Sequence, residues 1–565
     1  MPRKLFVLVS LLMVVAMVLS GCTTPPAPVA PTSAPQPAAP TTAPQPEAWK
    51  AKYNTTAPDP AYGGAFKSIE AVDQYTVKFT LNVPDPAFLP KIAFGPFEIH
   101  SAKQLEATGG GGAILDTPLG TGPYMVKEWV RGDHLTLVPN PNYWGEAPKN
   151  KEVVMRWNAE AAARLLELQA GTADAMDNAS PDDFAAIQAD PALKLIPRPP
   201  TNILYLGMNN THKPFDNEKV RQAVAMALDK QRFVDNYFPE GSTTAEQFMP
   251  PAVQPGYTEG LKWYGRDVEA AKALLAEAGY PNGFDVTVSY RDVVRAYQPL
   301  VSKLAQEFQS QLAQIGIRVQ LKVMESGAFL AAVSAGQEPM FILGWMQDYT
   351  DATDWVDYHF TGASDDFGVP YPDLVDAIHA AAQEANPAKR AELYVTVNEL
   401  IKKHVPMVPV AHGANAIVYS AKVEGAHASA LNNEEFRVMS IAGKDQIVWL
   451  QNAEPITLFG NDETDGETFR ATNQIFDTLY WYKVGTTELV PSLAESYEVN
   501  DTLTEWTFKL RKDVKFSDGT PFDANDVVAT FVAMWDAKSS MHKGNTGVFE
   551  YFGGFFGGFL NAPAQ

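Results

Sequence analysis

Cysteine is almost absent: the 565-residue chain has one, Cys22. A single thiol excludes an intrachain disulfide and any zinc site built on cysteines. Histidine is sparse as well, nine residues without ligand-like spacing, so no metal site is expected. There is no G-x-S-x-G elbow, no phosphate-cradling G-x-x-x-x-G-K-[ST] loop and no H-E-x-x-H pair; neither enzymatic activity nor a cofactor is expected. Gly120-Thr121-Gly122 begins like a dinucleotide fingerprint. It lacks the third glycine and runs into Pro123 where a helix would have to open on the phosphates. Basic residues are outnumbered, 44 against 66 acids, giving a net charge of −22. That balance argues against nucleic acid or an anionic membrane surface as partner and suits a soluble acidic protein.

What is present begins with a basic n-region at Arg3 and Lys4, an apolar stretch over residues 5–19, and then Leu19-Ser20-Gly21-Cys22. The run is short for a membrane span and resembles the lipobox of bacterial lipoproteins. The resemblance implies a signal peptide over residues 1–21 and a lipid on Cys22. The chain would then be extracytoplasmic, anchored on the periplasmic or cell-surface side. No other segment is long and apolar enough to span. Residues 22–48 are nearly all Pro, Ala, Thr and Gln, a composition that buries no core and extends at ~3.1 Å per residue as a tether. The remainder is too long for one core, so two or three lobes are expected.

Within that body, residues 488–528 read ELVPSLAESYEVNDTLTEWTFKLRKDVKFSDGTPFDANDVV. Trp506, Phe508 and Leu510 alternate with polar neighbours as in a half-buried strand. Ser517-Asp518-Gly519 is a turn signal, and Asp523 stands where an N-cap would open a helix through Val527, Val528, Phe531 and Trp535. Earlier, IEAVDQYTVKFTLNVPDPAFL (residues 69–89) reads as a strand and a Pro-broken turn. LGTGPYMVKEWVRGDHLTLVPNPNYWG (residues 119–145) gives a strand pair. A helix is expected over residues 160–176 with Gly171 as its stop, a strand over residues 203–210, and a helix capped by Asp216 with Val220, Ala223, Val224 and Ala227 inward. Residues 443–458, GKDQIVWLQNAEPITL, form another strand.

Together these blocks resemble the dipeptide/oligopeptide class (family 5) of solute-binding proteins that serve ABC importers. In that family the 488–528 block comes early, and the 443–458 block resembles the first mature strand. Here they come last and each block occurs once, so the chain reads as a circular permutant. The old ends would be fused near residues 441–445. The new ends would lie near residues 49–67 and 551–565, whose Gly, Pro and Ala suit a surface loop.

The resemblance implies an α/β, two-lobed periplasmic-binding-protein fold (type II-like, cluster C) with mixed sheets and a hinge. Its lobes would be residues 49–204 plus 415–565 and residues 205–414, crossing near residues 203–209 and 409–416. It also implies a monomer that captures a short peptide between the lobes and docks on an ABC permease with its ATPase subunits. An oligosaccharide or nickel-chelate binder, or a surface receptor or adhesion lipoprotein without transport, are the alternatives.

Gly344-Trp345-x-x-Asp348-Tyr349 matches the family motif whose aspartate pairs with a ligand's α-amino group, a role that charge-assisted bonding suits. Asp348 could equally cap the next segment, with Trp345 in the core. Arg295-Ala296-Tyr297-Gln298-Pro299 resembles the Arg-Pro-Tyr-Asn-Pro run whose arginine takes the ligand carboxylate; the alanine departs from it, and a surface arginine is the other reading. The loop Gly460-Asn461-Asp462-Glu463-Thr464-Asp465-Gly466 is expected to line the cleft or be solvated. Tyr480, Trp481 and Tyr482 would face the cleft or pack in the core.

Overall fold

The computed structural model describes residues 48–58 and 62–562. Cys22, the signal segment and all of the tether except Ala48 lie outside the described residues. The chain divides into two units, Met1–Trp49 and Lys50–Gln565; of the first only Ala48 and Trp49 are described, and everything below concerns the second.

Three sheets of five, six and seven strands organise that unit. The five-stranded sheet is antiparallel, and its centre joins opposite ends of the chain: Thr76–Leu81 pairs with Glu505–Leu510, setting Phe79 against Trp506 and Val77 against Phe508. The alternation that makes each a strand puts Val77, Phe79, Trp506, Phe508 and Leu510 on one buried face. Phe79 is closed in by the rings of Phe66, Phe88, Phe508 and Phe531 at 4.9–6.1 Å. Ala524–Trp535 covers this face. Its N-terminus is held by a reciprocal box in which Asp523 accepts from the backbone and Asp526 returns a bond to the Asp523 N–H.

In the six-stranded sheet Asp285–Arg291, Arg318–Met324 and Met340–Met346 run parallel, with Asn202–Met208 antiparallel between Met340–Met346 and Met407–His412. The seven-stranded sheet is mixed: Gln446–Gln451 runs parallel to Glu152–Trp157, while Asn415–Ser420 and Leu193–Arg198 are antiparallel. The five- and seven-stranded sheets make one lobe, drawn from both flanks of the sequence, and the six-stranded sheet the other. The fold is α/β and two-lobed.

The chain crosses between lobes over residues 199–201, between Leu193–Arg198 and Asn202–Met208, and returns through Gly413 and Ala414. The first crossing falls before the expected residues 203–209, because Asn202 is already in register with Met346. Asn202 also staples the crossings: its amide donates to the Gly413 carbonyl (2.7 Å) and accepts from the Gly413 N–H (2.8 Å). Beneath lies a sealed ion network. Arg198 meets Asp177 at 2.6 Å and Glu434 at 2.8 Å, and Arg470 meets Asp177 at 2.6 Å. Burial works against the Asp177 charge, yet the two guanidiniums hold its carboxyl well below the usual range.

One expectation about a helix start is corrected. The cap of Glu218–Ala227 is Asn217, which accepts from the Lys219 N–H; the neighbouring Asp216 is not the cap. The flanks near the two chain ends meet, the Ala65 N–H donating to the Phe556 carbonyl at 2.7 Å. Since Phe79 packs segments from both flanks, Phe79→Ala is expected to destabilise the protein by ~3–5 kcal/mol. Urea denaturation measures this, and an unchanged midpoint would contradict the packing described.

Candidate ligand-binding cleft

The cleft forms where the carboxyl ends of Asp285–Arg291 and Met340–Met346 point toward the crossings, the edge of a parallel sheet at which ligands are commonly held. Gly344 is required here: a Cβ would fall 2.3 Å from the Tyr297 ring. That close approach brings the loop carrying Arg295 across the strand end. Ala296, Met346, Asn202, Gly413 and Arg198 line a small pocket at the crossings.

Beyond the strand, the Asp348 N–H donates to Asp354 Oδ2 at 3.0 Å, and Tyr551 of the other lobe hydrogen-bonds the Asp348 carboxyl. Asp348 Oδ2 is sealed from solvent without a hydrogen-bond partner, as is Asp354 Oδ1. Burial, augmented by the charge of Glu550 and opposed by Tyr551, pushes the Asp348 carboxyl from its ordinary 3.8 up to about 7. Burial and the adjacent Asp348 push Asp354 well above the usual range. Asp348 therefore does not serve as the N-cap of Thr353–Phe360, where Ala352 stands.

Trp345 stacks on Tyr358 (5.7 Å) and meets His359 edge-on (4.7 Å), its indole N–H sealed and unpartnered. Burial pushes His359 down to about 3, so its ring is neutral. Tyr349 is buried, with its hydroxyl on Thr353 Oγ1 at 3.0 Å and its ring edge-on to Phe555 of the other lobe at 4.7 Å. Arg295 is half-buried and donates to its neighbour's carbonyl, that of Val294, at 3.1 Å. Arg291, which the sequence did not single out, fastens this loop by donating to the Tyr297 hydroxyl and Ser326 Oγ, each at 3.0 Å.

The 460–466 loop departs from both of its expected roles. The Asn461 amide donates to the carbonyls of Pro96 (2.6 Å) and Glu98 (3.2 Å). Asp462 accepts from the Thr546 N–H and hydroxyl, the Gly547 N–H and the Phe549 N–H at 2.6–2.9 Å. Both side chains are buried and saturated within their own lobe, and Thr464 is exposed. Asp462 is neither solvated nor free for a ligand, because the turn before the helix Glu550–Phe556 leaves backbone N–H groups that need an acceptor; Asp465 is half-buried and caps the helix Gly466–Ile475. Asp462 thereby positions the helix whose Tyr551 and Phe555 close on Asp348 and Tyr349. Tyr480 and Tyr482 are buried, and Tyr482 lies against Thr350 within the field of Asp354. Among the described residues no group of three or more His, Cys, Asp or Glu could hold a metal ion, and no helix is long and apolar enough to cross a membrane.

This two-lobed arrangement defines a class of ligand-enclosing binding proteins. The model of the family described as bacterial extracellular solute-binding proteins, family 5, matches residues 38–367 and 488–549, and the chain belongs to that family. It is 32% identical over 377 residues to a dipeptide-binding protein of Pseudomonas aeruginosa, covering 65% of this chain and 70% of the relative. It is 30% identical to heme-binding protein A of Haemophilus influenzae over 67% of this chain and 70% of the relative. Among solved structures, an ABC transporter-associated periplasmic binding protein of Helicobacter pylori in complex with the peptide STSA superposes with a TM-score of 0.59, at 26% identity over 67% of this chain and 74% of that one.

A carboxyl that holds its proton more tightly in the folded than the unfolded state weakens the fold as pH rises between the two pKa values, here from about 4 through about 7. Asp348→Asn removes that penalty. Its melting temperature relative to the unsubstituted protein is expected to rise between about pH 5 and about pH 8, read from thermal melts; a constant difference would contradict the burial of the Asp348 charge.

Proposed function

We propose that the protein is an extracytoplasmic solute-binding lipoprotein, anchored through Cys22, that captures short peptides between its lobes and delivers them to an ABC permease. The observation that carries the ligand assignment is Asp348: a sealed carboxylate oxygen without a partner at the lobe boundary, in the family motif Gly344-Trp345-x-x-Asp348-Tyr349. A peptide's α-ammonium supplies the missing donor and the missing charge. Trp345 and Tyr349 wall that position, and Arg295 takes the ligand carboxylate. Ligand contacts on both lobes favour the shut state, and the shut state is what the permease recognises. The relatives named as binders of dipeptides, and the neighbour holding STSA, support the peptide class.

The same reading takes the chain as a circular permutant of its family. Its support is the pairing of Thr76–Leu81 with Glu505–Leu510, the meeting of Ala65 with Phe556, and the family blocks found late in the sequence. The fused old ends would be the turn after Ser440–Ile441, where the Lys444 N–H returns to the Ile441 carbonyl at 3.1 Å. Permutation leaves the cleft intact because the same strands become neighbours.

Calorimetry with a panel of dipeptides and tripeptides tests the assignment, with heme included because one relative bears that name. Saturable heat from peptides is expected; heat from heme alone, or from nothing, would overturn the peptide reading. Asp348→Ala is expected to cost ~2–5 kcal/mol of peptide affinity, and an unchanged dissociation constant would remove Asp348 from the site.

A further inference from the structure

We propose that Asp348 and Asp354, with Glu550 from the opposite lobe, make the cleft a receptor for dicationic ligands: peptides whose amino terminus is accompanied by a lysine or arginine side chain. This rests on the peptide reading above and narrows it. Asp354 is 3% exposed. One of its oxygens holds the Asp348 N–H; the other is sealed and unpartnered, like Asp348 Oδ2 beside it. The Trp345 indole and the Tyr551 hydroxyl are the donors nearest these two carboxyls, and no cation meets either of them.

The surrounding cations are committed elsewhere. Asp351 is gripped by Arg390 through two bonds of 2.6 and 2.7 Å. Lys91 of the opposite lobe pairs with Asp85 at 2.9 Å and also sits in the field of Asp357. Among the described residues, none forms an ion pair with Asp348, Asp354 or Glu550. From the opposite lobe come Glu550, which is exposed to solvent, the Tyr551 hydroxyl, and buried Tyr482, whose hydroxyl lies on Thr350 in the field of Asp354. The walls are aromatic: Trp345 on Tyr358, and Tyr349 against Phe555. Such rings accept a cation's edge or face at little desolvation cost.

The charge count decides the ligand class. One ammonium neutralises one carboxylate and leaves a second buried acid that must either stay protonated or remain unpaired, which is costly. A second positive group on the ligand removes that cost. Burial first, and the adjacent acid second, raise the Asp354 carboxyl well above its usual range.

The experiment is calorimetry near pH 7.5 (about one unit above an ordinary histidine) with lysyl-alanine and norleucyl-alanine, which differ chiefly in the side-chain ammonium. The full chain is expected to bind lysyl-alanine at least about tenfold tighter. In Asp354→Asn, whose amide oxygen can still accept from the Asp348 N–H, the ratio is expected to fall within about threefold. Equal affinity of the unsubstituted protein for both peptides overturns this inference and leaves the peptide reading standing; so does a preference that survives Asp354→Asn. Failure of both peptides to bind overturns the peptide reading and this inference with it.

Discussion

The antiparallel register that sets Trp506 against Phe79 and Phe508 against Val77 is the constraint on which the remaining architecture depends. It sews the late segment of the chain into the sheet begun by the early one, so that one lobe is built from both flanks. The covering helix Ala524–Trp535 and, through Asp462, the helix Glu550–Phe556 are placed from that lobe. Those placements carry Tyr551, Phe555 and Glu550 to the face opposite Asp348. Without the pairing, one wall of the cleft would have no fixed position.

Two different uses of charge divide the molecule. Beneath the crossings, Arg198 and Arg470 alternate with Asp177 and Glu434, and each buried charge has a counter-charge. Such a network costs desolvation but sets each charge against a counter-charge, and it sits where the crossings, stapled by Asn202, must keep their geometry. At the cleft, Asp354 is buried and Asp348 half-buried, and among the described residues no cation pairs with either. The same residue type is paired with guanidiniums in the scaffold and without a cation here.

Local signals were legible in the sequence wherever a short-range rule governs: the alternation in Glu505–Leu510, the Asp523 cap, the Gly171 stop with its left-handed backbone. The family blocks gave the two-lobed fold and pointed at Asp348. Non-local satisfaction was not legible. Asp462 looks from sequence like a solvated or ligand-facing acid, and only the tertiary fold brings the N–H groups of residues 546–549 onto it. Asp354 sits in a run of acids at 348, 351, 354 and 357, where nothing local tells which one Arg390 will claim. Glu550, Tyr551 and Phe555 lie in a Gly- and Phe-rich stretch that reads as a loop, and their role depends on a lobe that closes over them.

The central claim is that a ligand's positive group, held at Asp348, joins the two walls of the cleft. Hydrogen exchange with and without a saturating peptide tests it most directly, because it reads both walls at once. The account predicts that amides in residues 348–354 and residues 550–556 slow together when peptide is bound. Protection confined to one wall, or none at either, would contradict it.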